Sequence, residues 1–201
     1  MVNYPHGKNG VSTSPGSTSK GVSFGGRGMS FETMIEFANA HYLTAGIAVI
    51  HKKPTPVQVV KVDYPKREAA KITEAYFKKP STTDFNGVYQ GVYIDFEAKE
   101  TSNTTRFPLQ NIHEHQIEHI LSVADHGGFS FLLMKFSKLN EIYALLPNEI
   151  TEFWLEYKQG ARKSIKRDEI AARGIPIAGN TYPTVDYLKA LDGEIKKMIK
   201  A

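Results

Sequence analysis

The run Val92-Tyr93-Ile94-Asp95-Phe96-Glu97-Ala98-Lys99 constrains this chain more than any other segment. Its polarity alternates with a period of two, the repeat of an extended strand. Val92, Ile94, Phe96 and Ala98 turn to one face, and Tyr93, Asp95, Glu97 and Lys99 to the other. One face is built for a core; the other carries chemistry. Asp84 stands upstream, before Gly87 and Gly91, and Asn86-Gly87 is a turn signal, so a bend between 84 and 92 brings its carboxylate beside Glu97. Two adjacent carboxylates repel unless a cation lies between them, and hard oxygen donors suit Mg²⁺. Lys99, on the face of Glu97, can stabilise charge on a phosphate under attack or help to activate the water. Taken alone, Glu-x-Lys on a strand is most often a solvated face.

The chain has 201 residues, enough for one cored domain with an appendage. A net charge of +4 favours a polyanionic partner. The absence of cysteine excludes disulfides and thiolate metal sites and fits a reducing compartment. No apolar run is long enough to span a bilayer and the N-terminus lacks a signal core, so the expectation is a cytoplasmic protein without a membrane partner. Residues 1–29 read as a flexible basic arm: glycine and serine recur, Lys8, Lys20 and Arg27 are the charges, and no carboxylate precedes Glu32. Gly25-Gly26-Arg27-Gly28 is not a phosphate-cradling loop, because no strand precedes it and no Gly-Lys-Ser/Thr follows. Residues 30–201 read as a single domain, interrupted by an insertion at 52–80.

Ser30 is placed to cap a helix running to about Thr44, with Phe31, Ile35, Ala38 and Tyr42 as its apolar stripe and Glu32 and Glu36 on another side. Residues 47–50 form a short buried strand. From Lys52 to Lys79 the character changes: Pro54 and Pro56 break regular structure, 57–62 is strand-like, and Pro65-Lys66-Arg67 turns the chain. The segment reads as a protruding two-stranded arm, with a helix over 66–77 as the alternative. Lys52, Lys53, Lys61, Lys66, Arg67, Lys71, Lys78 and Lys79, interleaved with Tyr64, Tyr76 and Phe77, suit phosphate contact and base stacking. The bland reading is that Tyr76 and Phe77 pack on the body.

Residues 111–125 read as a helix stopped by Gly127-Gly128. Its His113-Glu114-His115-Gln116-Ile117 stretch is not a zinc box, since Ile117 stands where the second histidine belongs. His115 and His119 are spaced i, i+4 but read better as surface histidines, whereas the Gln116 amide can bind phosphate or a metal's water. Two strands buried on both faces follow, 129–136 and 142–146. A helix then presents Ile150, Phe153, Trp154 and Tyr157 as a core stripe. The segment 160–173 is rich in cations (Arg162, Lys163, Lys166, Arg167, Arg173) and reads as a second phosphate-contacting surface, and Thr184 as the cap of a last helix to Lys200.

This order of elements makes a mixed α/β domain. An early helical Glu32, then Asp84, Glu97-Ala98-Lys99 and a helical Gln116 resemble the restriction-endonuclease-like nuclease superfamily. More narrowly, Gly26-Arg27-Gly28-Met29-Ser30-Phe31-Glu32, Ser81-Thr82-Thr83-Asp84-Phe85-Asn86-Gly87 and Phe96-Glu97-Ala98-Lys99-Glu100-Thr101 resemble the RecU Holliday junction resolvases, over essentially the whole chain. The resemblance implies a mixed central sheet flanked by helices with a protruding stalk at 52–80. It implies a homodimer that nicks opposing strands of four-way junction DNA in recombination and repair, leaving 5′ phosphates. It implies Asp84 and Glu97 as ligands of Mg²⁺ or Mn²⁺, Thr82 and Gln116 completing the metal environment, Lys99 as the catalytic lysine and Glu32 as a supporting acid. Thr83 stands where the broader superfamily has proline, a variant that RecU-like sequences share. RecA and the branch-migration machinery are partners by resemblance alone. The competing expectations are a restriction-type duplex endonuclease and a non-enzymatic junction-binding or recombinase-modulating protein.

Overall fold

The computed structural model describes residues 29–78, 82–179 and 182–200. The basic arm, Arg27 and Lys79 lie outside the described residues, as does the side chain of Arg67. Along the chain run α1 (Phe31–Thr44), β1 (Ala48–Lys52), β2 (Val57–Asp63), β3 (Lys71–Phe77), β4 (Phe85–Tyr89), β5 (Val92–Thr101), β6 (Arg106–Pro108), α2 (Glu114–Asp125), β7 (Phe129–Phe136), β8 (Glu141–Leu145), α3 (Pro147–Lys158), β9 (Ser164–Lys166), α4 (Arg167–Arg173), β10 (Ile175–Ile177) and α5 (Tyr187–Lys200). Six strands make one mixed sheet in the order β1-β4-β5-β7-β8-β10, parallel only at β5–β7.

The sheet is covered on both faces. Ile94, Phe96 and Ala98 of β5 and Phe131 and Leu133 of β7 face α1 and α5 in one core. Leu132, Met134 and Phe136 face α2, α3 and α4 in the other. This is why β7 is largely apolar without alternation: every residue is buried, Ser130 and Lys135 included. Across three neighbouring strands Phe85, Phe96 and Phe131 stack nearly parallel, with centroids 4.9 and 4.7 Å apart. Such offset aromatic pairs add about 0.5–1.5 kcal/mol each beyond the area they bury, and these fix the register of β4 on β5.

Ser30 caps α1 as expected, its hydroxyl accepting from the Thr33 N–H at 3.2 Å. Other expectations need correction. The bend between Asp84 and Val92 is made by Gln90-Gly91, both with positive φ (49° and 81°), the backbone of a tight hairpin turn. Asn86-Gly87 lies inside β4. Glycine stands at 87 because β1 passes too close for a side chain: a Cβ there would lie 2.0 Å from the Val49 carbonyl oxygen. The expected two-stranded form of the insertion is present, and only the helical alternative for 66–77 falls: residues 71–77 are strand and pair β2 antiparallel, with register shifts between Val59 and Val62. Helix α2 starts at Glu114, since Leu109–Asn111 form a separate short 3₁₀ turn. The last helix begins at Tyr187, beyond the reach of Thr184 as a cap. The ribbon β6–β9 and the edge strand β10 were not anticipated; at three residues each they are too short to show a period.

Candidate active site

The antiparallel ladder of β4 on β5 pairs Asn86 with Asp95 and Phe85 with Phe96. Asp84 lies one residue before this paired stretch, and its carboxyl comes close enough to Glu97 to act on it by charge and hydrogen bonding. Asp84 itself lies just past the strand end, held by its carbonyl, which accepts the Lys53 N–H at 2.7 Å. The β4–β5 ladder brings the chain to this corner, and the bend just before β4 presents Asp84 to Glu97.

Glu97 is fully buried. The Lys99 ammonium lies 2.8 Å from its Oε1 as an ion pair, yet neither carboxylate oxygen makes a well-directed hydrogen bond. Burial pushes the Glu97 carboxyl up to about 8; Lys99 pulls it back and nearby Asp84 raises it again. A desolvated carboxylate with unsatisfied oxygens, facing a second carboxylate, is a site short of positive charge. A divalent cation fits it. Among the described residues no group of three or more His, Cys, Asp or Glu side chains converges on a metal position.

Glu32 reaches this corner through Lys52, whose ammonium lies 2.5 Å from Glu32 Oε2 and 4.0 Å from Glu36 Oε1. Glu32, Glu36 and Asp84 together hold the Lys52 ammonium above its usual range, the hydrogen bond from Glu32 most strongly. Gln116 is buried in the first turn of α2, where its Oε1 accepts the His113 N–H at 3.0 Å. That end of the amide is committed to the helix rather than to a ligand. The Thr82 hydroxyl lies 3.4 Å from the Thr83 carbonyl.

Sequence reasoning missed the network next to this pair. Asp95, also fully buried, receives Thr83, Lys53, Tyr93 and His119. The signal was present in the alternation, which puts Asp95 and Glu97 on one face, but a covered second face was not foreseen. Lys53 thereby differs from its expected role at the DNA surface, because its ammonium is occupied 2.7 Å from Asp95. The cationic segment at 160–173 is likewise largely neutralised within the fold. Arg162 pairs with Glu156 and Glu169, Arg167 with Glu141 and Asp168, and Arg173 with Glu152.

The hairpin β2–β3 is the opposite case, exposed along both strands. Tyr64, Tyr76 and Phe77 stand open to solvent, Phe77 at 83% exposure, which removes the reading that the last two pack on the body. No ion pair engages Lys61, Lys66, Lys71 or Lys78 among the described residues.

The RecU family model, described as Recombination protein U, matches residues 26–193. The chain belongs to the RecU family. Proteins named Holliday junction resolvase RecU from Staphylococcus aureus strains MRSA252 and JH9 are each 52% identical over 200 residues, covering 95% of this chain and 95% of theirs. Archaeoglobus fulgidus Hjc, a Holliday junction resolvase of known structure, overlaps 73% of this chain and 93% of its own at 8% identity and a TM-score of 0.37. The RecU match runs from before α1 into α5 and so takes in the acidic pair, Lys99, Gln116 and the hairpin. No helix among the described residues is long and apolar enough to cross a membrane.

Proposed function

We propose that the chain is a structure-selective endonuclease that resolves four-way DNA junctions by paired strand incisions in recombination and repair. The observation that carries this reading is a fully buried Glu97 carboxyl with the Asp84 carboxyl as its charged neighbour and the Lys99 ammonium at 2.8 Å. The relatives' shared name supplies the substrate. Asp84 and Glu97 would hold Mg²⁺, or Mn²⁺ in its place. When bound, such an ion polarises the scissile phosphate and makes water a competent nucleophile at neutral pH. Lys99 keeps a fixed positive charge beside Glu97, where it counters the charge that builds on the phosphate in the transition state. Glu32 acts from one step away by setting the position of Lys52. Hydrolysis leaves a 5′ phosphate.

The β2–β3 hairpin, projecting its cations and aromatic rings away from the cores, is the element for reading junction shape: phosphate contacts from Lys61, Lys66, Lys71 and Lys78, base stacking from Tyr76 and Phe77. Incision of two opposing strands calls for two such sites, hence a homodimer. Action on chromosomal junctions places the protein in the cytoplasm, beside RecA and the branch-migration machinery.

The test is strand-resolved cleavage of an end-labelled mobile four-way junction and of a linear duplex, with Mg²⁺, by the wild type and Asp84→Asn. Paired nicks in the junction, little cleavage of the duplex and an inactive variant are expected. Equal cleavage of both substrates favours a restriction-type enzyme. Cleavage undiminished in Asp84→Asn removes the active-site assignment.

A further inference from the structure

Asp95 lies two residues before Glu97 on the same face of β5 and has no part in the chemistry above. Burying a carboxylate costs on the order of several kcal/mol unless it is paired and hydrogen-bonded. Here both oxygens are occupied. The Thr83 hydroxyl donates to Oδ1. Oδ2 takes the Lys53 ammonium at 2.7 Å and the Tyr93 hydroxyl at 2.9 Å, and faces His119 Nε2 at 3.3 Å. Lys53 Nζ also lies 2.9 Å from Thr83 Oγ1, which closes a triangle.

The place of that triangle matters more than its satisfaction. Thr83 precedes Asp84 in the chain. Lys53 faces Asp84 across the sheet, its N–H donating to the Asp84 carbonyl. The two immediate neighbours of Asp84, one along the chain and one across the ladder, are thus fastened by their side chains to one carboxylate on the Glu97 strand. Asp84 needs such fastening because the β4–β5 ladder ends at Phe85–Phe96, one step short of it.

From this arrangement we infer that Asp95, acting through Thr83 and Lys53, is a positioning residue that holds the Asp84 carboxylate beside Glu97 so that the two can share one cation. The inference rests on the endonuclease reading. It gives a reason for a buried charge where an apolar residue would pack as well: buried ionic groups are best attested as devices that fix register.

The experiment compares Thr83→Val, which deletes the hydroxyl at nearly constant volume, with Thr83→Ser, which keeps it, and with Lys53→Met and Asp84→Asn. Three quantities are read: the Mg²⁺ concentration that half-saturates the thermal shift of the protein without DNA, kcat and KM on a labelled junction, and urea stability in EDTA. Thr83→Val and Lys53→Met are expected to lower kcat and raise the half-saturating Mg²⁺ by about 10–100-fold, the usual effect of losing a partner that orients a metal ligand, with KM for the junction little changed. Thr83→Ser should recover both. The inference is overturned if Thr83→Val and Lys53→Met lose only urea stability, with Mg²⁺ binding and kcat as in the wild type, or if Thr83→Ser is as impaired as Thr83→Val. Should Asp84→Asn cut normally, the endonuclease reading fails and the positioning role falls with it; an inactive Asp84→Asn beside an unaffected Thr83→Val sinks the positioning role alone.

Discussion

The β5 corner and the β2–β3 hairpin carry charge in opposite ways. At the corner Asp95 and Glu97 are removed from water altogether, and their positions are dictated by strand register and by the lysines that meet them. In the hairpin every strand residue is exposed and no apolar side chain joins either core. The corner cannot be altered without touching the fold, whereas the hairpin can be. A buried charge has one geometry and suits chemistry; an exposed cation on a projecting ribbon tolerates several and suits a large, deformable polyanion.

The most severe way to probe the contrast is to neutralise the corner. Asp84→Asn or Glu97→Gln should reduce junction cleavage by at least about a hundredfold, the scale of losing a charge-placing group. Junction binding in a gel shift without metal should persist or tighten, because repulsion of phosphate is relieved. Loss of binding in parallel with cleavage would erase the division of labour between the two regions.

Removal of the hairpin is the complementary cut. Replacing 55–78 with a short glycine-serine turn should lower the preference for junction over duplex by about tenfold or more, given roughly 1–3 kcal/mol for each stacked base lost. The melting temperature should change little, since an isolated two-stranded ribbon is itself only marginally stable. Phe77→Ala, at the most exposed ring, should reproduce part of the effect. A collapse in melting temperature with junction preference intact would show the hairpin to be scaffold.

The corner also has a signature in pH. In the metal-free protein the folded Glu97 carboxyl stands at about 8 against an ordinary 4.5. The folded state therefore holds a proton that the unfolded chain releases between those values, and its contribution to stability declines as pH rises through that window. Glu97→Gln has no proton to lose there. Urea unfolding in EDTA at pH 5.5 and pH 8.5 should show the variant gaining on the wild type by about 3 kcal/mol across the range, with Mg²⁺ stabilising the wild type more at the higher pH. Parallel profiles for the two proteins would mean that Glu97 is not held in a desolvated state.

Much of this was legible in the sequence, and the gaps have physical causes. The alternation at 92–99 announced β5 and its core face but not the cover over the other, Ser30 marked the start of α1, and the largely apolar run at 129–136, broken only by Ser130 and Lys135, marked a strand covered on both sides. Asp84 was paired with Glu97 correctly but through the wrong turn, because Asn-Gly signals a hairpin and nothing local reveals that β1 passes over Gly87. The Asp95 network escaped notice because its members, Lys53, Thr83, Tyr93 and His119, come from separate segments that only sheet order unites.

The segment at 160–173 shows the same limit in reverse, and it yields the smallest predicted effect. Its cations cluster in the sequence and suggest a phosphate surface, yet Arg162, Arg167 and Arg173 meet carboxylates from α3, α4 and β8, which no local pattern announces. An arginine already paired with a carboxylate neutralises little phosphate charge and so displaces few of the counterions condensed on DNA, whereas the hairpin's Lys61 or Lys71 can neutralise a phosphate and displace them. Arg167→Ala should therefore leave the salt dependence of junction affinity nearly unchanged and cost about 1 kcal/mol or less in stability, as expected of partly exposed ion pairs. Lys61→Ala or Lys71→Ala should reduce the slope of log affinity against log salt by about one unit each without moving the unfolding midpoint. Binding isotherms at a series of KCl concentrations separate the two. A larger loss of slope from Arg167→Ala than from Lys61→Ala would transfer the DNA-reading role from the hairpin to the body.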